Sequence, residues 1–395
     1  MRIVFRWIFR VVAALIVALF ALGAWKYDEL KRLMAVNRLF LPDRIVSNFS
    51  HMDQAFLSAP LPSVDEVPSS FPTGKKAEMP AGFEAFTRDR NVTSIVVLKD
   101  GKLVFEDYFQ GTTDKDLRIS WSLAKSYISA LTGVMLEEGS IGSLDDRVID
   151  YAPTLRDGAY HGATIRNVLN MATGVTFDED YLDKNSDINR MGRVLALGGE
   201  MDSFAAGLTE NFTDPGVDWK YVSIDTHVLG MVIRGATGKS IIQLMGEKII
   251  GPLAVEQAPY YLTDGTGVAF VLGGLNSTTR DYARFGQMYL QGGAWNGRQI
   301  VPRDWVIAST TASAPTDPDQ YGYGYQWWMP RDARAREYMG RGIYGQYLYI
   351  NEEQSVVIAL TAADLKFREA AVQRQNIVLF REIADSLQGG SDEER

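Results

Sequence analysis

The sequence predicts an α+β domain: an antiparallel sheet flanked by helices, with a mainly helical subdomain set into it. Runs of β-type composition fall early, at 93–98 and 103–109, and again late, at 323–329, 344–350 and 356–361. The stretch between them has the spacing of helices. Early and late strands sharing one sheet must have a spatial order different from their chain order, as in an α+β fold carrying a helical insertion.

The N-terminus comes first. Arg2, Arg6 and Arg10 precede an apolar run, 11–25, interrupted only by Gly23. Ile8 and Phe9 extend that run and Arg10 can snorkel toward headgroups, so residues 1–30 are expected to be a membrane anchor. The small residues Ala21, Gly23 and Ala24 fit a cleaved signal equally well. Arginines without a neighbouring acid stay cytoplasmic. That places the remaining chain across the bacterial inner membrane, in the periplasm or outside, or secreted after cleavage. Residues 27–36 continue as a helix. Proline, serine and lysine between 59 and 76 mark 31–81 as a linker.

From 82 to 388 the pattern is that of one domain, with the helical subdomain at about 140–268. Asp100-Gly101 joins the two early strands as a hairpin turn. A helix opens at Ser122, runs through the mostly apolar stretch 128–136 and closes at Glu138-Gly139. Asp145-Asp146 reads as a turn and cap. Further helices are expected at 164–171, 225–234, 240–250 and 367–387, with a frayed tail from 389. Asp264-Gly265-Thr266-Gly267 lacks the strand-then-helix setting of a phosphate loop.

Composition narrows the chemistry. A formal net charge of -9 argues against nucleic acid as partner. With no cysteine there is no disulfide, thiolate metal site or cysteine nucleophile. The three histidines, His51, His161 and His227, are too few for a zinc cluster, and His161 and His227 read as structural. No metal or cofactor is expected.

Ser122-Leu123-Ala124-Lys125 puts a hydroxyl and an amine on one face of the helix mouth, since positions i and i+3 are neighbours. Serine is a poor nucleophile until a base takes its proton. With so few histidines that base must be a lysine, a tyrosine or a carboxylate, and a lysine serves only if its surroundings lower its pKa. The free N–H groups of the first turn suit an oxyanion.

Two further stretches follow in order: Tyr221-Val222-Ser223, and Gly342-Ile343-Tyr344-Gly345-Gln346 opening a late strand. Supporting text includes Ile141-Gly142-Ser143-Leu144-Asp145-Asp146, Asn170-Met171-Ala172-Thr173-Gly174, the run from Gly274 to Gly286, and Tyr321-Gly322-Tyr323-Gly324-Tyr325-Gln326-Trp327-Trp328. Together, over roughly 82–387, these resemble the penicillin-recognising serine hydrolases. That group spans class C β-lactamases, D-alanyl-D-alanine peptidases, family VIII carboxylesterases and 6-aminohexanoate-dimer hydrolases.

The resemblance implies a β-lactamase/transpeptidase-like fold with Ser122 acylated, Lys125 keeping the proton network poised, and Tyr221 in the place of the Y-x-N tyrosine. It implies an oxyanion hole from the backbone N–H groups of Ser122 and Gln346, each donor being worth on the order of 3 kcal/mol. It also implies substrate contacts from Tyr181, Ser223, Tyr344 and Gly345. An ammonium at Lys125 is expected to pull the Tyr221 phenol down. Two departures stand out. Ser223 replaces the usual asparagine, and Ile343-Tyr344-Gly345 replaces Lys-Thr-Gly, leaving Arg341 as the nearest cation.

The expected reaction is hydrolysis of a small linear amide or ester through an acyl-enzyme. The alternatives are a β-lactamase or D-alanyl-D-alanine carboxypeptidase, and a non-catalytic, membrane-tethered penicillin-binding-type sensor. Oligomeric state has no signal in the sequence.

Overall fold

A computed structural model describes residues 2–62 and 68–388. Its centre is a seven-stranded sheet in the order Lys102–Tyr108, Val92–Lys99, Val356–Ala362, Gln346–Asn351, Glu337–Gly342, Trp327–Met329, Gly322–Gly324, every neighbouring pair antiparallel. Early and late strands share one sheet, as their composition predicts. Asp100 and Gly101 both have positive φ, so the first hairpin turns with the twist of its strands.

The period of two along the strands sorts side chains onto two faces. Val96, Leu98, Leu348, Ile350, Val357 and Ala359 join the main core with the helices Ala124–Glu137 and Thr279–Leu290. Ile95, Val97, Tyr347, Tyr349, Ile358 and Leu360 pack instead against Ile377, Phe380 and Ile383 of the C-terminal helix, Ala370–Ser386. The helical part contributes Asp187–Leu197, Met201–Ala206 and the buried helix Ser223–Thr237.

The single expected sheet is accompanied by a second one. Four short strands, Leu57–Pro60, Tyr260–Thr263, Leu275–Ser277 and Arg118–Ile119, pair in that order. Strands this short carry too few residues to show a period.

Residues 31–81 differ from the expected linker, of which 63–67 lie outside the described residues. Leu39, Ile45, Phe49, Met52, Phe56 and Leu61 are buried in the main core. Leu57–Pro60 is an edge strand pairing with Tyr260–Thr263. Arg118, 1% exposed, donates to the Val46 carbonyl at 2.6 Å and the Ser50 hydroxyl at 2.8 Å, tying this segment to the strand that leads to Ser122.

Arg2–Trp25 is one helix of 24 residues followed by Tyr27–Asn37. Residue 1, the tail from 389 and several side chains between 2 and 25 lie outside the described residues. Among the described residues no helix is long and apolar enough to cross a membrane, so the expected membrane segment finds no support here.

If 31–62 belongs to the core, Phe49→Ala should destabilise the chain by about 3–5 kcal/mol, as for other buried phenylalanines. Chemical denaturation monitored by tryptophan fluorescence measures this; a linker residue would leave the midpoint unmoved.

Candidate active site

Ser122 sits in a single 3₁₀ turn, Trp121–Leu123, that runs directly into the helix Ala124–Glu137. Trp121 has φ +44°, a left-handed conformation that bulky residues rarely adopt and that surrounding packing must hold. Its ring lies 5.5 Å from Phe49, 6.1 Å from Phe40 and 5.9 Å from Tyr344, and Ser120 N donates to Leu275 O at 2.8 Å. The strand end then presses on the turn. A Cβ on Gly342 would fall 2.4 Å from the Ser120 carbonyl and 3.1 Å from Ser122 N, so no larger residue fits there.

Lys125, 1% exposed, donates from Nζ to the Leu272 carbonyl at 2.8 Å and lies 5.5 Å from the centre of the Tyr221 ring. Tyr221 arrives from the residues before Ser223–Thr237 and lines the same cavity as Ser122. Tyr221, distant in sequence, is thereby brought beside Lys125 and onto the Ser122 cavity.

Burial dominates the electrostatics. It brings Lys125 down to about 7, against the opposing pull of Glu179 and Asp225. It pushes Tyr221 well above an ordinary phenol, although Ser122 and Arg341 pull the other way. The expected lowering of Tyr221 by Lys125 is therefore not met, because desolvation of the phenolate outweighs the favourable charges. Glu179 is also raised by burial, its carboxylate accepting from Ser223 N at 2.5 Å and from the Tyr181 hydroxyl at 3.1 Å. Asp225, fully buried, is raised to about 8, while its oxygens accept from Tyr160 at 2.6 Å and Thr173 at 3.0 Å.

A cavity of about 370 Å³ opens on Ser122, walled by Tyr181, Tyr221, Trp328, Arg341, Gly342 and Ile343 among others. Arg341 lies over the rings of Tyr321 and Trp328, 5.4 Å from each centre, and has no carboxylate partner among the described residues. Across the mouth, Arg368 reaches Asp180 at 3.4 Å and Phe367 meets Tyr181 edge-on at 6.4 Å.

The remaining expected site residues divide. Tyr181 is on the cavity wall. Ser223 is buried and off the wall, its backbone N–H donating to Glu179. Tyr344 turns away and stacks on Phe40 at 5.2 Å, beneath the nucleophile turn. Gly345 and Gln346 are not on the wall either. Gln346 uses its side-chain amide to bond the Ile343 and Ala362 carbonyls at 3.2 and 2.9 Å, which pins the hairpin. The strand end that faces Ser122 is Gly342-Ile343, three residues earlier than expected. Two glycine pairs of the same look flank one turn, and only the fold separates them.

Sequence reasoning missed Glu179, Asp225 and the Leu272 carbonyl. Glu179 stands two residues before Tyr181, a spacing that hints at a shared side in an extended loop; a buried carbonyl leaves no trace. His227 bonds Asp202 at 2.7 Å within the helical part.

The Beta-lactamase family model matches residues 82–382. The chain belongs to the beta-lactamase family. Within it, the chain is 28% identical over 284 residues to a 6-aminohexanoate-dimer hydrolase of Paenarthrobacter ureafaciens, covering 68% of this chain and 72% of that one. Its fold matches that of a Bacillus anthracis protein assigned to the 6-aminohexanoate-dimer hydrolases, with a TM-score of 0.79, 24% identity, and coverage of 89% and 96%. It also matches a D-stereospecific amidohydrolase from Streptomyces sp., with a TM-score of 0.58, 19% identity, and coverage of 71% and 92%.

In this beta-lactamase-family site Glu179 supports the charged form of Lys125. Glu179→Gln should therefore move the Lys125 titration midpoint below about 7. NMR of isotopically methylated lysine, assigned with Lys125→Arg, measures it; an unmoved or raised midpoint contradicts the coupling.

Proposed function

We propose that the chain hydrolyses small linear amides or esters through an acyl-enzyme on Ser122, with Lys125 and Tyr221 relaying the proton. The observation that supports this best is a buried lysine 5.5 Å from the ring of Tyr221, which shares a cavity wall with Ser122, and burial brings that lysine down to about 7. Near neutral pH a large share of Lys125 is a free amine, the form a base requires. Tyr221, held neutral by burial, suits the middle of the relay. It passes the Ser122 proton toward Lys125 while Oγ attacks the carbonyl carbon.

The tetrahedral oxygen needs two donors. Ser122 N is one. With Gly342 against the nucleophile turn, the N–H of Ile343 is favoured over that of Gln346 as the second. The relay then returns its proton to the departing amine or alcohol as that bond breaks, leaving a Ser122 ester. Water attacks the ester, giving its proton to the relay, and Ser122 regains a proton as the acid leaves. The relatives' printed names, a 6-aminohexanoate-dimer hydrolase and an amidohydrolase, favour amide-type substrates.

The β-lactamase or D-alanyl-D-alanine carboxypeptidase reading retains one observation in its favour. Arg341 brings an uncompensated cation to the cavity wall, suited to a substrate carboxylate. Nitrocefin turnover matching ester turnover, and lost in Arg341→Ala, would select it. The sensor reading is weaker, because a binder has no need of a buried proton relay. Attachment to the inner membrane through residues 1–30, with the catalytic domain outside, rests on the sequence pattern alone; fractionation of the full chain against one starting at residue 26 tests it.

Ser122→Ala should lower hydrolysis of p-nitrophenyl acetate by a factor on the order of 10⁴ or more. A fluorophosphonate adduct should map to Ser122 by intact mass and peptide analysis, and unchanged turnover in the variant refutes the assignment. The pH profile of kcat/KM should rise with pH through about 7 as Lys125 loses its proton, and a profile flat between pH 5 and 9 counts against Lys125 as base.

A further inference from the structure

A second cavity, about 620 Å³ against 370 Å³ for the first, lies between the outer strands of the large sheet and the C-terminal helix. The two have Tyr321, Trp328 and Gln373 in common, so they adjoin at two aromatic rings and one amide. Trp328 is fixed in that wall by Tyr221 at 5.3 Å on the catalytic side and by Trp219 at 5.8 Å on the far side.

The chemistry of the second cavity is graded. Trp219, Ile377 and Val378 give it an apolar surface. Two of its arginines are neutralised: Arg331 pairs with Asp319 at 3.0 Å, and Arg381 with Asp332 at 2.9 Å. Arg374, on the exposed face of the C-terminal helix, has no carboxylate partner among the described residues. Its charge and that of Arg341 both act on the Tyr321 hydroxyl, which puts a free cation on each side of the partition. A guanidinium without a carboxylate partner among the described residues, in a cavity with an apolar surface, suits a carboxylate on a hydrocarbon chain.

We propose that the second cavity is a substrate subsite. One arm of a linear amide or ester runs from Ser122 past Tyr321, Trp328 and Gln373, lies on Trp219 and Ile377, and ends in a carboxylate at Arg374. The inference rests on the Ser122 reading above and adds chain length and terminal charge to it. An arm too short to pass the partition reaches only the first cavity; a long neutral arm gains the apolar contacts without the ion pair.

The test uses the full-length chain and linear substrates of increasing arm length, each with a carboxylate or a methyl terminus. The arm is placed in one series on the acyl side (p-nitrophenyl esters) and in the other on the amine side (N-acetyl amides). Each kcat/KM is divided by that for p-nitrophenyl acetate. In at least one series the long carboxylate arm should exceed its methyl counterpart by about tenfold, the scale of one charge-assisted hydrogen bond. Arg374→Glu should abolish or invert that preference, and Val378→Trp, which fills the trough from an exposed position, should remove the dependence on arm length. Thermal melts of both variants verify folding. The subsite is overturned if neither series prefers the carboxylate arm, or if both folded variants keep the preferences of the unaltered chain. Acetate ester turnover that vanishes in Ser122→Ala upholds the nucleophile whichever way the arm experiment falls.

Discussion

The site depends on the removal of water from one amine. Lys125 in solvent is an ammonium and no base; enclosed among Tyr221, the Leu272 carbonyl and two carboxylates, it sits near neutrality. The balance is narrow because Glu179 and Asp225 oppose the effect of burial. Both carboxylates are themselves raised by burial, so the cluster holds fewer charges than its residue types suggest. Hydrogen bonds from Ser223 N, Tyr181, Tyr160 and Thr173 hold those acids in place. The same desolvation keeps Tyr221 protonated. An amine brought down by burial beside a phenol pushed up by it is an ordered pair, and the proposed relay takes its direction from that order.

The geometry around Ser122 is maintained from behind. A left-handed Trp121 stores strain that only a packed environment sustains. That environment is aromatic: Phe40 and Phe49 come from the N-terminal segment and Tyr344 from the hairpin after Gly342. Two distant parts of the chain thus clamp the turn while the Gly342 backbone closes its open side. Residues outside the family match at 82–382 thereby support the turn that carries Ser122.

Much of the arrangement was legible beforehand. The hairpin at Asp100-Gly101, the helix following Ser122 and the late strands follow from local spacing together with the family resemblance, which also proposed Ser122, Lys125 and Tyr221 as a unit. The misplacements have common causes. The second sheet escaped because its strands span two to four residues. Residues 31–62 read as linker because turns and short elements dilute their apolar residues, although Leu39, Phe49 and Met52 are as buried as any strand residue. Along the chain Gly342 and Gly345 look alike, so nothing local shows that it is Gly342 that abuts the Ser122 turn.

The sequence by itself determined the chemistry on offer: a serine and a lysine one turn apart, a tyrosine in the right order, no cysteine, and too few histidines for another base. Those are covalent facts and survive any rearrangement of the chain. Only the tertiary structure decided which groups are dry, and therefore which are charged. It buried Lys125, Glu179 and Asp225 together, left Arg341 and Arg374 without carboxylate partners among the described residues on either side of Tyr321, and chose Gly342 over Gly345 to face Ser122. Protonation depends on solvent access, and solvent access is a property of the folded surface that no local run of residues contains.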